Sequence, residues 1–96
     1  MRVWLAPGLV SISLAAAQAA SLEPPAGASS CTGCHPANAG VETSVPGLAG
    51  RNAPDIIAVT EAFRSGQKQA TVMDRIAKGF TIEEIHAIAA WYAAQR

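Results

Sequence analysis

Apolar residues fall into a helical rhythm most clearly near the C-terminal end of the chain. Ile82, Ile85, Ala89 and Tyr92 recur at intervals of three and four, which puts them on one face of a helix. Ahead of them Thr81 and Glu84 have the order of a capping box, and Phe80 and Ile85 are placed for a hydrophobic staple. Upstream, Asn52 suits an N-cap, Pro54 and Asp55 suit a first turn, and Ile56, Val59 and Phe63 continue the periodicity until Gly66 closes it. A shorter helix is predicted from about Val72 to Lys78, ended by Gly79. No stretch alternates as a strand would, so the pattern predicts an all-α domain of roughly three to four short helices joined by long loops.

The remaining segments lack this rhythm. Residues 36–52 hold two prolines and three glycines and read as a long loop, which in so small a domain needs something to wrap around. From Ser21 to Ser30 the chain is mostly Pro, Gly, Ala and Ser, which predicts a loose arm leading into a short helical turn at Cys31. The first 19 residues carry one basic residue, Arg2, then an uncharged apolar run, then Ala17-Gln18-Ala19, the pattern of a cleavable export signal. Pro7, Gly8, Ser11 and Ser13 interrupt that run, and it is short for a membrane span of about 20 residues. The expectation is therefore a signal at 1–19, a flexible arm at 20–28 and one domain at 29–96, delivered to the periplasm with no stable membrane span after cleavage.

Charge adds little. Seven basic residues balance seven acidic ones, which gives no footprint for nucleic acid. Size matters more: a 96-residue chain buries little apolar area against its chain entropy, and such domains usually need a disulfide, a metal or a cofactor as a staple. The two cysteines, Cys31 and Cys34, supply the only staple material, and both lie in the run Cys31-Thr32-Gly33-Cys34-His35.

A C-x-x-C pair can form a disulfide, half of a zinc site, a thioredoxin-like redox centre or, when histidine follows directly, a covalent haem attachment. Zinc would have to recruit both His35 and His86, with His35 too close to Cys34 for easy tetrahedral bonding. A thioredoxin centre needs a β-α-β setting that the pattern lacks. A plain disulfide would leave His35 without a reason. In haem attachment the two thiols add to the vinyl groups on one edge of the porphyrin and the following imidazole reaches the iron. This predicts one covalent haem c, held by Cys31 and Cys34 with His35 as an axial ligand, and the helices and loops wrapped around it.

The opposite axial position takes a methionine, a second histidine or water. Met73 is the methionine left once a leader is removed, and it stands where the linker after Gly66 gives way to a helix. It is the candidate ligand; core packing is its other reading. His86 is the rival, expected half-buried at the margin of the last helix. A ligating histidine also needs a partner for its other ring nitrogen. The loop Val45-Pro46-Gly47-Leu48-Ala49-Gly50 could provide it, with Pro46 holding a carbonyl in place and Leu48 packing on the ring, or be simply a tight turn. Trp91 and Tyr92 read as packing residues, Tyr92 in the core and Trp91 toward a loop, the arm or a partner.

CTGCH, the step Pro46-Gly47-Leu48, a Met-bearing loop and an aromatic-containing final helix together resemble the small class I c-type cytochromes over residues 29–95. More narrowly, AFRSGQKQATVMDRIAKGFTIEEIHAIAAWYAAQ looks like the cytochrome subunit of flavocytochrome c sulfide dehydrogenase. The resemblance implies thioether attachment at Cys31 and Cys34, axial ligation by His35 and Met73, a histidine-holding carbonyl at Pro46, and a flavoprotein partner that oxidises sulfide and passes electrons on. Two departures stand out. Members usually carry an N-terminal helix crossing the last one, whereas Pro24, Pro25 and Gly27 leave room for a turn, and Pro36 follows the histidine. Many members of the sulfide group hold two haems; one motif allows one.

The function expected is one-electron transfer and not catalysis, since the chain supplies no base, nucleophile or substrate pocket of its own. The alternatives are a free soluble carrier for another periplasmic oxidoreductase, an open-site haem sensor or enzyme if Met73 stays off the iron, and a disulfide-stapled structural module. Arg64, Lys68, Arg75 and Lys78 surround Met73 in sequence and form a candidate basic rim for an acidic redox partner.

Overall fold

The computed structural model describes residues 23–95 together with residues 2, 3 and 8. The expected signal segment therefore lies almost wholly outside the described residues. Four helices follow in order: α1 (Ser29–Thr32), α2 (Ala53–Arg64), α3 (Met73–Ala77) and α4 (Ile82–Ala93), with no strand among the described residues. Helix α2 packs against both α3 and α4. No helix among the described residues is long and apolar enough to cross a membrane.

Local chemistry sets the helix ends. In α4 both halves of the capping box form: Glu84 N–H donates to Thr81 Oγ1 at 3.1 Å, and Thr81 N–H donates to Glu84 Oε1 at 2.9 Å. Helix α2 starts after Asn52, but through its backbone, since the Asn52 carbonyl accepts from Asp55 and Ile56 while its side chain makes no capping bond. At the far end Gly66 takes φ +81°, a left-handed conformation that turns the chain out of the helix. Helix α3 is shorter than the expected span, with Val72 and Lys78 as its caps.

The buried core joins Ala28, Ile56, Ile88, Ala89, Trp91 and Tyr92. Ile82 does not belong to it, being 45% exposed. At about 100° per residue, Ile88 and Trp91 extend the buried stripe of α4 to the side of Ile85 away from Ile82, which is left at its edge on the first turn. His86 sits off the same edge and is exposed, not half-buried. Trp91 is itself in the core, only 8% exposed.

The N-terminal segment is more firmly seated than a loose arm. Hydrogen-bonded turns run from Pro25 through Ala28 and Cys31 to His35. Gly27, at φ +85°, brings its backbone so close to α4's entrance that a Cβ there would lie 2.7 Å from Phe80 Cε1. Behind it Ala28 is fully buried. A turn with no side chain in the way thus does some of the packing that a crossing helix would do, and the packed domain reaches back to Gly27.

Candidate functional site

A cavity of about 560 Å³ lies beside this core. Ile56, Val59, Thr60 and Phe63 of α2 form one side, Met73, Ile76 and Ala77 of α3 another, and Phe80 with Ile85 and Ile88 of α4 complete the apolar wall. Cys31, Cys34 and His35 enter from the turn after α1, and Val45, Pro46 and Leu48 from the long loop. Exposed Cys34, Ser44, Arg51, Lys68 and Val72 mark the mouth. Arg51 and Lys68 are the charged side chains on the lining, both basic.

His35 is the buried polar residue of this wall, at 8% exposure. Its Nδ1–H donates to the Pro46 carbonyl at 2.6 Å, so that in the neutral imidazole the tautomer is fixed and the lone pair lies on Nε2. The backbone of His35 is tied as well: the Tyr92 hydroxyl donates to its carbonyl at 2.7 Å. Burial first, and the nearby Cys31 second, push the Tyr92 hydroxyl up to about 12, so it holds its proton and acts as a donor at neutral pH. Burial also pushes the Cys31 thiol upward, while Cys34 is exposed, and the two are not joined in a disulfide.

Met73 opens α3 and is half-buried on the lining. Cys31, Cys34, His35, Pro46, Leu48 and Met73 therefore all meet at one cavity. His86 does not reach it. Among the described residues no three His, Cys, Asp or Glu side chains gather as a metal site, so the four-ligand set of a zinc centre is not assembled. Of the expected basic rim, Lys68 stands at the mouth, with Nζ 5.4 Å from the centroid of the Phe63 ring. Arg64 is engaged elsewhere: its Nε–H donates to the Phe80 carbonyl at 3.1 Å and its guanidinium lies 3.8 Å from Glu61. Sequence reasoning missed Arg51 at the mouth and the hydroxyl of Tyr92 at His35. An arginine in a loop carries no signal of this kind, and a tyrosine on an apolar helix face reads as packing alone.

Helices, with no strand among the described residues, arranged around an apolar cavity that a Cys-x-x-Cys-His turn enters from one element and a methionine from another, make a small all-α domain that resembles the cytochrome c-like type. In particular, the chain resembles the cytochrome subunit of sulfide dehydrogenase from Chlorobaculum tepidum, with 38% identity over 63 residues. The matched stretch covers 66% of this chain and 57% of that subunit, so the likeness spans little more than half of the relative. No protein-family profile matches the chain, and no solved structure does.

Proposed function

We propose that this protein is a monohaem c-type cytochrome that transfers single electrons in the periplasm, with Cys31 and Cys34 as attachment sites and His35 and Met73 as axial ligands. The observation that carries the reading is the meeting of two thiols, a thioether and a buried imidazole with its Nε2 lone pair free on one apolar cavity. The site fits such a group on its own terms. Its volume of about 560 Å³ falls within the roughly 300–1,000 Å³ of cofactor pockets, and its donors are the soft sulfur and imidazole types that suit haem iron. When bound, haem supplies reversible one-electron chemistry at iron.

The chain's own residues do the rest. The Pro46 carbonyl orients the His35 ring through the Nδ1–H bond. Val59, Phe63, Ile76 and Ile88 line the interior with apolar surface, which would keep water from a bound haem, and Leu48 lines the loop side. Arg51 and Lys68 give the mouth a positive edge that suits an acidic partner surface. The resemblance to a sulfide dehydrogenase subunit supports a redox partner, which we take to be a flavoprotein that oxidises sulfide. Export follows from the signal pattern at 1–19.

Production in cells that attach haem tests this directly. The protein should gain the mass of one haem, show a Soret band, and in the oxidised state show the weak near-red band of Met–ferric ligation. Met73→Leu should abolish that band and keep the haem, Cys31→Ala and Cys34→Ala together should lose covalent attachment, and the mature N-terminus should begin near Ala20. A colourless protein of unmodified mass would overturn the reading, and a near-red band surviving in Met73→Leu would remove Met73 from the iron. Purification from the native source should bring a flavin-containing polypeptide with it.

A further inference from the structure

Tyr92 joins three segments that are far apart in sequence. Its hydroxyl donates to the His35 carbonyl at 2.7 Å, across a separation of 57 residues. Its own carbonyl accepts from the Gly50 N–H at 2.9 Å. Gly50 ends the short loop whose Pro46 carbonyl receives the His35 Nδ1–H at 2.6 Å. The contacts close a cycle: from the His35 ring to Pro46, along the loop to Gly50, across to the Tyr92 backbone, and through the phenol back to the His35 backbone. We infer that Tyr92 is a positioning residue for His35, holding its backbone directly and its ring through the Gly50–Pro46 loop, so that the imidazole is fixed from both ends.

Several features make the cycle stiff. Tyr92 is fully buried, and its ring meets Trp91 edge to face with centroids 5.0 Å apart. Gly50 lies at φ +74°, and a Cβ there would come 3.2 Å from the Gln95 carbonyl, so the loop is pressed against the end of α4 at a point that favours glycine. Gln95 N–H also donates to the Tyr92 carbonyl at 3.1 Å. An imidazole tied only to Pro46 would move with the loop. Here loop and histidine are referred to the same residue of a rigid helix, which is what precise orientation of a ligand requires.

The inference rests on the reading of His35 as an iron ligand, and its test separates the two. In the reduced haem-loaded protein, hydrogen exchange of the His35 Nδ1–H is followed by NMR and normalised to global stability. Tyr92→Phe keeps the ring and deletes the donor; Ala89→Gly, at a fully buried position of the same helix, serves as a control that loosens packing without touching the cycle. Exchange should quicken about tenfold in Tyr92→Phe, equivalent to about 1.4 kcal/mol, and stay within twofold of wild type in Ala89→Gly. Equal normalised rates in the two variants would overturn the inference. If Tyr92→Phe does not accumulate with haem, Gly50→Ala breaks the cycle at its other arm and must give the same acceleration; an unchanged rate there overturns it equally. A wild-type protein without Soret absorption would instead remove the haem reading, and this inference with it.

Discussion

Replacing Gly27 by alanine tests whether the N-terminal turn is part of the packed domain, and Gly66 provides the control. Gly27 and Gly66 have nearly the same backbone, φ +85° and +81°, but different surroundings. A methyl group at Gly66 meets nothing within 4 Å, whereas at Gly27 it would lie 2.7 Å from Phe80 Cε1 and 3.4 Å from Cδ1. Gly66→Ala should therefore cost only the left-handed conformation, about 1–2 kcal/mol. Gly27→Ala should cost that and an overpacking penalty of about 1–3 kcal/mol, giving about 2–5 kcal/mol in all. Phe80 packs on the core on one side and lines the cavity on the other, so with the cavity filled its ring has little room to yield. A domain of this size has a total stability of about 4–11 kcal/mol, so the difference is easily resolved.

Urea unfolding followed by far-UV circular dichroism would measure both variants against wild type, with an unchanged slope showing that only stability has moved. Phe80→Leu completes a cycle: combined with Gly27→Ala it should recover about 1 kcal/mol or more relative to the sum of the single changes, since the shorter side chain makes room for the methyl group. A Gly27→Ala loss no larger than that of Gly66→Ala would refute the claim that the turn is seated on Phe80. The same result would return residues 23–28 to the status of a loose arm.

Three other outcomes follow from the same geometry. Thr81→Ala removes the acceptor for the Glu84 N–H and should lower stability by about 1 kcal/mol in thermal unfolding, with Glu83→Ala close to wild type as the control. The Tyr92 hydroxyl is raised from 10.0 to about 12, so the folded state keeps a proton that the unfolded state loses; stability should be whole below pH 10 and fall as pH rises toward 12. That fall should appear in pH-resolved urea titrations, and Tyr92→Phe should lack it. Charge reversal of Lys68 and Arg75, both exposed, should slow electron transfer with an acidic partner and flatten its salt dependence, and unchanged stopped-flow rates would deny the rim a docking role.

What could be read from the sequence was mostly what is local. The Cys31–His35 run is five consecutive residues, and the capping box of α4 spans four, so spacing alone announces both. Helix α2 was equally legible in its extent, although Asn52 caps it through the backbone and not the side chain. The contact between His35 and Pro46 was one of two readings of that loop, the other a tight turn, and the bond at 2.6 Å chooses between them. Periodicity failed where three-dimensional context chose the side of the helix: Ile82 fits the apolar repeat but faces solvent, because Ile88 and Trp91 pull the buried face of α4 away from it. Gly27 looked like flexibility, and composition could not reveal that a missing side chain serves close approach to Phe80. The bond between Tyr92 and His35 was invisible for a different reason: it links residues 57 apart through a group that only burial makes selective.

The core of this domain is small because the cavity occupies the place where a larger core would be. Among the described residues Tyr92 is the one large side chain that is fully buried, and Leu48, Phe63, Met73 and Ile76 are only half-buried on the cavity wall. Their apolar surface is withheld from water only when the volume they enclose is occupied, at about 25 cal/mol per Å². On the reading proposed here, the group that transfers electrons is also the one that completes the interior, and anything binding the folded chain alone stabilises it by mass action. The same economy explains the concentration of tight contacts around His35. A short chain cannot orient a ligand by surrounding it with layers of packed side chains. It does so with hydrogen bonds that tie the turn, the loop and the last helix to one another at a single residue.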